Sequence, residues 1–229
     1  MSNAVNLAQQ LYLKAKLKES SEEVSSALAE FPLKELEIQL ATSDTRKAFW
    51  LNLYNAFSVL LLTENPNIIA TFLGRQKHFR AKSICVAGQR LSLNDIEHGM
   101  LRRRNGIFFT KLFISTFEKQ FRVEALDNRI HFALNCGGRS CPPIRYYEAK
   151  KIKQQLDIAA RAFLYTEAEY DEAKNEVLLS KILLWYRLDF GGEKGTIALL
   201  KKYDKIPENS SPKLRYKKYD WTTDLDAFA

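Results

Sequence analysis

Apolar positions recur at helical spacing through the first forty residues, with Ser20-Ser21 and Pro32 as breaks, which predicts two or three short amphipathic helices. From Ala48 to Leu62 nearly every position is apolar. With Ser43 or Asp44 as N-cap, this run predicts a long helix ending near Thr63, before Pro66, and buried at the centre of the fold. Within it Asn52 and Asn55 are three apart and so share a face. Lys82–Val86 and Arg90-Leu91, joined by Ala87-Gly88-Gln89, predict a small β-hairpin. Ser92 then opens a helix with Asp95 as its capping partner. Leu93, Ile96, Met100 and Leu101 form its apolar face; Glu97 projects into the middle of that face, with His98 and Arg102 to the side.

The aromatic-rich stretch Ile107–Phe121 fits helix or strand equally. Alternation over Arg129–Asn135 predicts a strand ending at Gly137-Gly138. A clear amphipathic helix follows from about Glu148 to Tyr165, then a hairpin turning near Lys174-Asn175 into the strand Val177–Leu179. Ser180–Phe190 reads as a short helix stopped by Gly191-Gly192, and one more helix reaches about Tyr203. The pattern predicts an α+β protein: a mainly helical body packed on a small antiparallel β-sheet that carries the Cys/His strand. Residues 1–206 read as a single domain, and 207–229 as a basic, loosely docked tail that Trp221 and Phe228 could hold.

Composition narrows the class. An apolar fraction of 46% with 12% aromatics is enough for a sizeable core and excludes disorder as the main state. The N-terminal stretch lacks a continuous apolar signal region, and the longest apolar run is too short for a membrane span. Three cysteines are no disulfide framework of a small secreted protein, so a cytoplasmic location is expected, with a Cys136–Cys141 pair still open. The net charge of +8 gathers at Arg102-Arg103-Arg104 and Lys213–Lys218, but no nucleic-acid motif accompanies it. Nucleic acid is therefore not an expected partner; a small molecule or peptide is.

The candidate chemistry lies between His131 and Cys141. A cysteine nucleophile needs a base, and the base needs an orienting partner. On a continuous strand Arg129, His131, Ala133 and Asn135 face one side and Phe132, Leu134 and Cys136 the other. His131 and Cys136 would then lie about 16 Å apart along the strand. Cys141 follows the flexible Gly137-Gly138 turn and can return beside His131, and as the start of a helical turn its thiol would be acidified by free N–H groups. Glu97, a carboxylate on an apolar face, supplies the third member. This gives Cys141 as nucleophile, His131 as base and Glu97 as orienting acid, with no cofactor required.

Structural readings of the same residues stay open. A cysteine before prolines commonly packs, and a core-facing histidine commonly bonds a backbone carbonyl. Glu97 would serve equally as an ion-pair partner of Arg129. Asn52 and Asn55 would bond loop backbone near the site, or one would donate to an oxyanion. His98, His131, Cys136 and Cys141 have the softness of a zinc set, although the spacing matches no common structural zinc site.

Four segments together carry a resemblance: Ala48–Ala56 (AFWLNLYNA), Leu91–Arg102 (LSLNDIEHGMLR), Arg129–Pro143 (RIHFALNCGGRSCPP) and Leu179–Gly191 (LSKILLWYRLDFG). In order and spacing, over roughly residues 40–205, the chain resembles the domain-of-unknown-function 547 family. The resemblance implies a shared fold and a shared cluster made of Asn52, Asn55, Glu97, His98, Arg102, Arg129, His131, Cys136 and Cys141. It does not imply a reaction. The expectation is a cysteine-dependent hydrolase or acyl transferase, with a non-catalytic binding module whose pocket takes an anion through Arg102 and Arg129, or a zinc-stabilised domain, as the alternatives.

Overall fold

Thr42 caps the central helix as a reciprocal box, its hydroxyl accepting from the Thr45 backbone N–H while the Thr45 hydroxyl accepts from that of Thr42. The helix it starts, α4 (Ser43–Glu64), is the longest in the computed structural model, which describes residues 3–103, 114–143 and 145–224. Consecutive positions from Lys47 to Ala56 are all buried, so the helix is covered on every side. Helix α1 (Ala4–Leu17) packs along it, and α2 (Glu22–Ala29) and α3 (Leu33–Gln39) close the same core. Trp50 of α4 satisfies its indole N–H on the Phe121 carbonyl at 2.9 Å, tying in α6 (Thr116–Phe121). The first part of the aromatic stretch, residues 107–113, lies outside the described residues.

Between α4 and the site run α5 (Phe72–Arg80) and the hairpin β1 (Ile84–Val86) and β2 (Gln89–Leu91), paired antiparallel. A second core gathers α7 (Ile152–Glu167), α8 (Lys181–Trp185), α9 (Gly192–Lys202) and a three-stranded sheet. In that sheet β3 (Glu169–Asp171) pairs antiparallel with β4 (Glu176–Leu179), and β5 (Lys213–Tyr216) pairs parallel with β4. The α+β class holds: a mainly helical body with two small sheets. Among the described residues no helix is long and apolar enough to cross a membrane.

One expected element is different. The residues around His131 form no strand but a 3-10 turn, Asn128–Phe132, so no sheet carries the Cys/His segment. The cause is local bonding. Asp127 accepts from the Arg129 backbone N–H and pairs with its guanidinium at 2.8 Å. The Asp127 and Ile130 carbonyls then take the N–H groups of Ile130, Ala133 and Leu134, leaving nothing for a ladder. Ile130, His131 and Phe132 are buried in succession, unlike the one-sided burial expected of a strand with one solvent-facing side.

Candidate functional site

The site begins in the turn after Ser92. Ser92 and Asp95 form the expected box: the Asp95 carboxylate accepts from the Ser92 N–H at 2.7 Å and the Ser92 hydroxyl accepts from the Asp95 N–H at 3.1 Å. The helix that follows, Asp95–Leu101, is π-wound, and the Arg102 N–H bonds the Glu97 carbonyl at 2.8 Å. Such wide turns displace side chains from ordinary helical positions and recur at functional sites. Here the turn buries Glu97 and swings Arg102 inward.

Arg102 meets Asp189, just beyond α8. Its Nε and Nη2 donate to the two carboxylate oxygens at 2.5 and 3.0 Å, and its Nη1 donates to His98 Nδ1 at 2.9 Å. His131 Nε2 also meets Asp189, at 2.7 Å from Oδ2. Burial works against a charge on Asp189, but the bonds to His131 and Arg102 hold its carboxyl well below the usual range. An ionised Asp189 requires the imidazole proton on Nε2, so Nδ1 carries the lone pair. Burial also lowers the affinity of His131 for a second proton, outweighing the pull of Asp189. The ring is neutral and oriented, with its unprotonated nitrogen free to accept.

Glu97 sits beside this pair. Tyr186 donates to its Oε1 at 2.6 Å and Tyr54 to its Oε2 at 3.3 Å. Burial would raise its carboxyl, yet His98, the Tyr186 hydroxyl, His131 and Arg102 together lower it. Both phenols are pushed well above their ordinary range, by burial first and by Glu97 second. The Tyr186 ring stacks on His131, centroids 3.9 Å apart, and Arg102 lies 4.7 Å above its centre. Glu97 therefore fixes the ring against which His131 packs. The carboxylate bonded to His131 is Asp189, which corrects the orienting role expected of Glu97.

Cys136 and Cys141 are joined by a disulfide that closes the loop through Gly137-Gly138. Asn135 braces this loop, its Nδ2 donating to the Pro142 carbonyl and its Oδ1 accepting from the Gly137 N–H, each at 2.6 Å. Gly137 has φ +86°, and a Cβ there would stand 1.9 Å from Leu62 of α4, so only glycine fits. The Cys141 sulfur accepts from the Cys136 N–H at 3.1 Å, and the Tyr219 hydroxyl lies 3.1 Å from it and 3.2 Å from the Cys136 sulfur. Cys141 does not start a helix, as its sequence context suggested; its donors come from this loop and from Tyr219.

The remaining expected residues separate into two groups. Asn52 and Asn55 each bond loop backbone at both ends of the amide: Asn52 to the Tyr147 carbonyl and N–H, Asn55 to the Ala133 carbonyl and the Asn135 N–H. They hang the His131–Tyr147 segment on α4. Arg129 points elsewhere, to Asp127, Asp157 and the Lys153 carbonyl. With Arg102 committed to Asp189 and His98, neither guanidinium is presented as an anion clamp. The zinc reading loses both thiolates in this oxidised form, and among the described residues no group of three or more His, Cys, Asp or Glu side chains converges as a ligand set.

Glu97, His98, His131, Cys136 and Cys141 line one cavity of about 870 Å³. Tyr219, Trp221 and Trp185 form its aromatic wall, with Arg75 stacked 4.5 Å above Trp221.

Residues 38–164 match the family described as protein of unknown function, DUF547. The chain belongs to this family. No curated protein and no solved structure is significantly similar to it. The DUF547 match takes in Asn52, Asn55, Glu97, His98, Arg102, His131 and both bonded cysteines, but stops before Tyr186, Asp189 and Tyr219. Those three were not expected as site residues. Asp189 did offer a signal, a lone acid between Leu188 and Phe190 in an apolar stretch. Tyr219, in the basic tail, offered none.

Proposed function

We propose that this DUF547 domain is a cysteine-dependent hydrolase or acyl transferase acting on a small-molecule or peptide substrate once the Cys136–Cys141 bond is reduced. The observation that supports this most directly is the Asp189–His131 pair, an oriented imidazole lining the same cavity as Cys141, whose sulfur accepts from the Cys136 N–H. In the reduced domain the Cys141 thiol gives its proton to His131, and the thiolate attacks the carbonyl carbon of the substrate. The leaving group departs with that proton and an acyl thioester remains. Water or an acceptor hydroxyl or amine then attacks the thioester, its proton passing to His131 and back to Cys141. Glu97, Tyr186 and Tyr54 form the buried frame that keeps His131 in place.

A second reading rests on the disulfide itself. Where the bond persists, Cys141 cannot attack, and the aromatic-walled cavity serves as a binding pocket for an uncharged or planar ligand.

The test is a short iodoacetamide pulse near pH 6.5 on native protein reduced with dithiothreitol, read by peptide mass spectrometry. Cys141 is expected to label at least about ten-fold faster than the half-buried free thiol Cys85, with His131→Ala removing most of that advantage. Equal, slow labelling of Cys141 and Cys85 would discard the catalytic reading in favour of the binding pocket.

A further inference from the structure

We infer that Tyr219, from the segment that straps across the disulfide loop, is a further catalytic residue whose hydroxyl stabilises the Cys141 thiolate. The inference rests on the reading of Cys141 as nucleophile. A disulfide sulfur has no proton to give, so in the contacts at 3.1 and 3.2 Å the phenol is the donor. Burial, together with the nearby carboxylates Glu97 and Glu167, raises the Tyr219 phenol well above its ordinary range, so it stays protonated wherever a thiolate forms. With the Cys136 N–H, it gives the Cys141 sulfur two donors, the arrangement that favours a thiolate.

The position of that hydroxyl is set by the whole strap. The Arg139 N–H donates to the Thr222 carbonyl at 2.9 Å and the Ser140 N–H to the Asp220 carbonyl at 3.3 Å. In return the Asp220 N–H donates to the Ser140 hydroxyl at 2.9 Å and the Asp224 N–H to the Gly137 carbonyl at 3.2 Å. Gly138 and Thr223 form an isolated β-bridge, and the Thr223 hydroxyl bonds the Pro66 carbonyl. The Tyr219 ring packs against both Trp185 and Trp221, each centroid 4.7 Å away. Strap and loop are thus one hydrogen-bonded unit, and a residue outside the family match completes the sulfur's surroundings.

The chemistry balances without moving the phenol proton. When Cys141 loses its proton to His131, the new charge on sulfur is met by the Tyr219 O–H and the Cys136 N–H. Opening of the disulfide by a dithiol follows the same logic. One thiolate of the reductant attacks the Cys136 sulfur, the S–S bond breaks, and its electron pair stays on Cys141, the stabilised leaving group. The second thiol of the reductant then attacks the mixed disulfide, releasing reduced Cys136 and the oxidised reductant.

The experiment is the pH profile of Cys141 alkylation in the reduced full chain, wild type against Tyr219→Phe. Loss of the hydroxyl is expected to move the thiol's midpoint up by about one unit, slowing labelling near pH 6.5 about ten-fold while rates converge in strongly alkaline buffer. Superimposable profiles with a fast wild-type thiol would overturn the role of Tyr219 and leave Cys141 as the nucleophile. A wild-type Cys141 no faster than Cys85 would instead remove the catalytic reading, and this inference with it. Should Tyr219→Phe fail to fold, 3,5-difluorotyrosine at position 219 carries the test. Its more acidic phenol is a stronger donor, so the midpoint should fall; an unmoved midpoint overturns the inference.

Discussion

Asp189 accepts from two residues, Arg102 and His131, that come from different parts of the chain, in a space closed to water. The Arg102 guanidinium pairs the buried charge and the His131 N–H adds a second donor, so removing Arg102 would cost more than removing His131. The burial of Glu97 was legible in the sequence, because an acid at helical spacing inside an apolar face is carried inward with that face. The Asp189 bond to His131 was not legible in the same way, because a pairing across 58 residues leaves no local pattern. A second buried imidazole, His78 on α5, has no such partner: its Nε2 is enclosed without a hydrogen bond. Burial lowers its proton affinity from 6.5 to about 4. The unfolded chain therefore binds a proton that the folded one refuses. The contribution is complete above pH 6.5 and declines as pH falls toward 4, by up to about 3 kcal/mol. Urea titrations of wild type and His78→Leu across this window should show a shallower pH slope in the variant, the remainder arising from groups such as His131. Identical slopes would mean that His78 does not titrate as described.

At the scale of elements, the strongly periodic segments were legible. The long α4, both hairpins, α7 and α9 follow from apolar spacing, capping residues and the glycines that stop them. The segment around His131 was not, since its alternation mimics a strand while Asp127 and the Ile130 carbonyl satisfy its backbone locally. Nor does spacing announce a π-wound turn, in which one extra residue per turn brings Arg102 to Asp189. What holds these irregular pieces is α4, through two amides. Asn55→Ala would leave the Asn135 N–H without a partner and take one donor from the Ala133 carbonyl, at a cost of about 3 kcal/mol. Thermal melts should show that loss together with slower Cys141 labelling, because the loop bearing the sulfur would lose its register. A variant as stable and as reactive as wild type would mean that the loop holds itself.

For the molecule as a whole, the site lies where the two apolar cores meet. His131 stands between Ile130, which packs in the core around α4, and Phe132, which packs in the core around α7 and α9. The family match ends within the helical body, yet the cavity is completed by Trp185 and Tyr186 of the α8 region and by a strap from residues 219–224, while Asp189 holds His131 from behind. The first forty residues likewise lie almost wholly outside the match, and α1 braces α4 along its length.

The aromatic wall has an optical consequence. Of the three tryptophans, Trp185 and Trp221 stack 5.7 Å apart on the tyrosine that touches both sulfurs, while Trp50 is sealed in the other core. An excited indole passes an electron readily to a neighbouring disulfide and emits little light. Opening the bond removes that acceptor, so fluorescence should brighten on adding dithiothreitol, and a Cys136→Ser/Cys141→Ser double variant should be bright from the start and unresponsive. No change in the wild type would mean that the indoles do not sense the bond. With the change, the domain is its own redox dye, and the midpoint of its disulfide can be titrated without a substrate or a label.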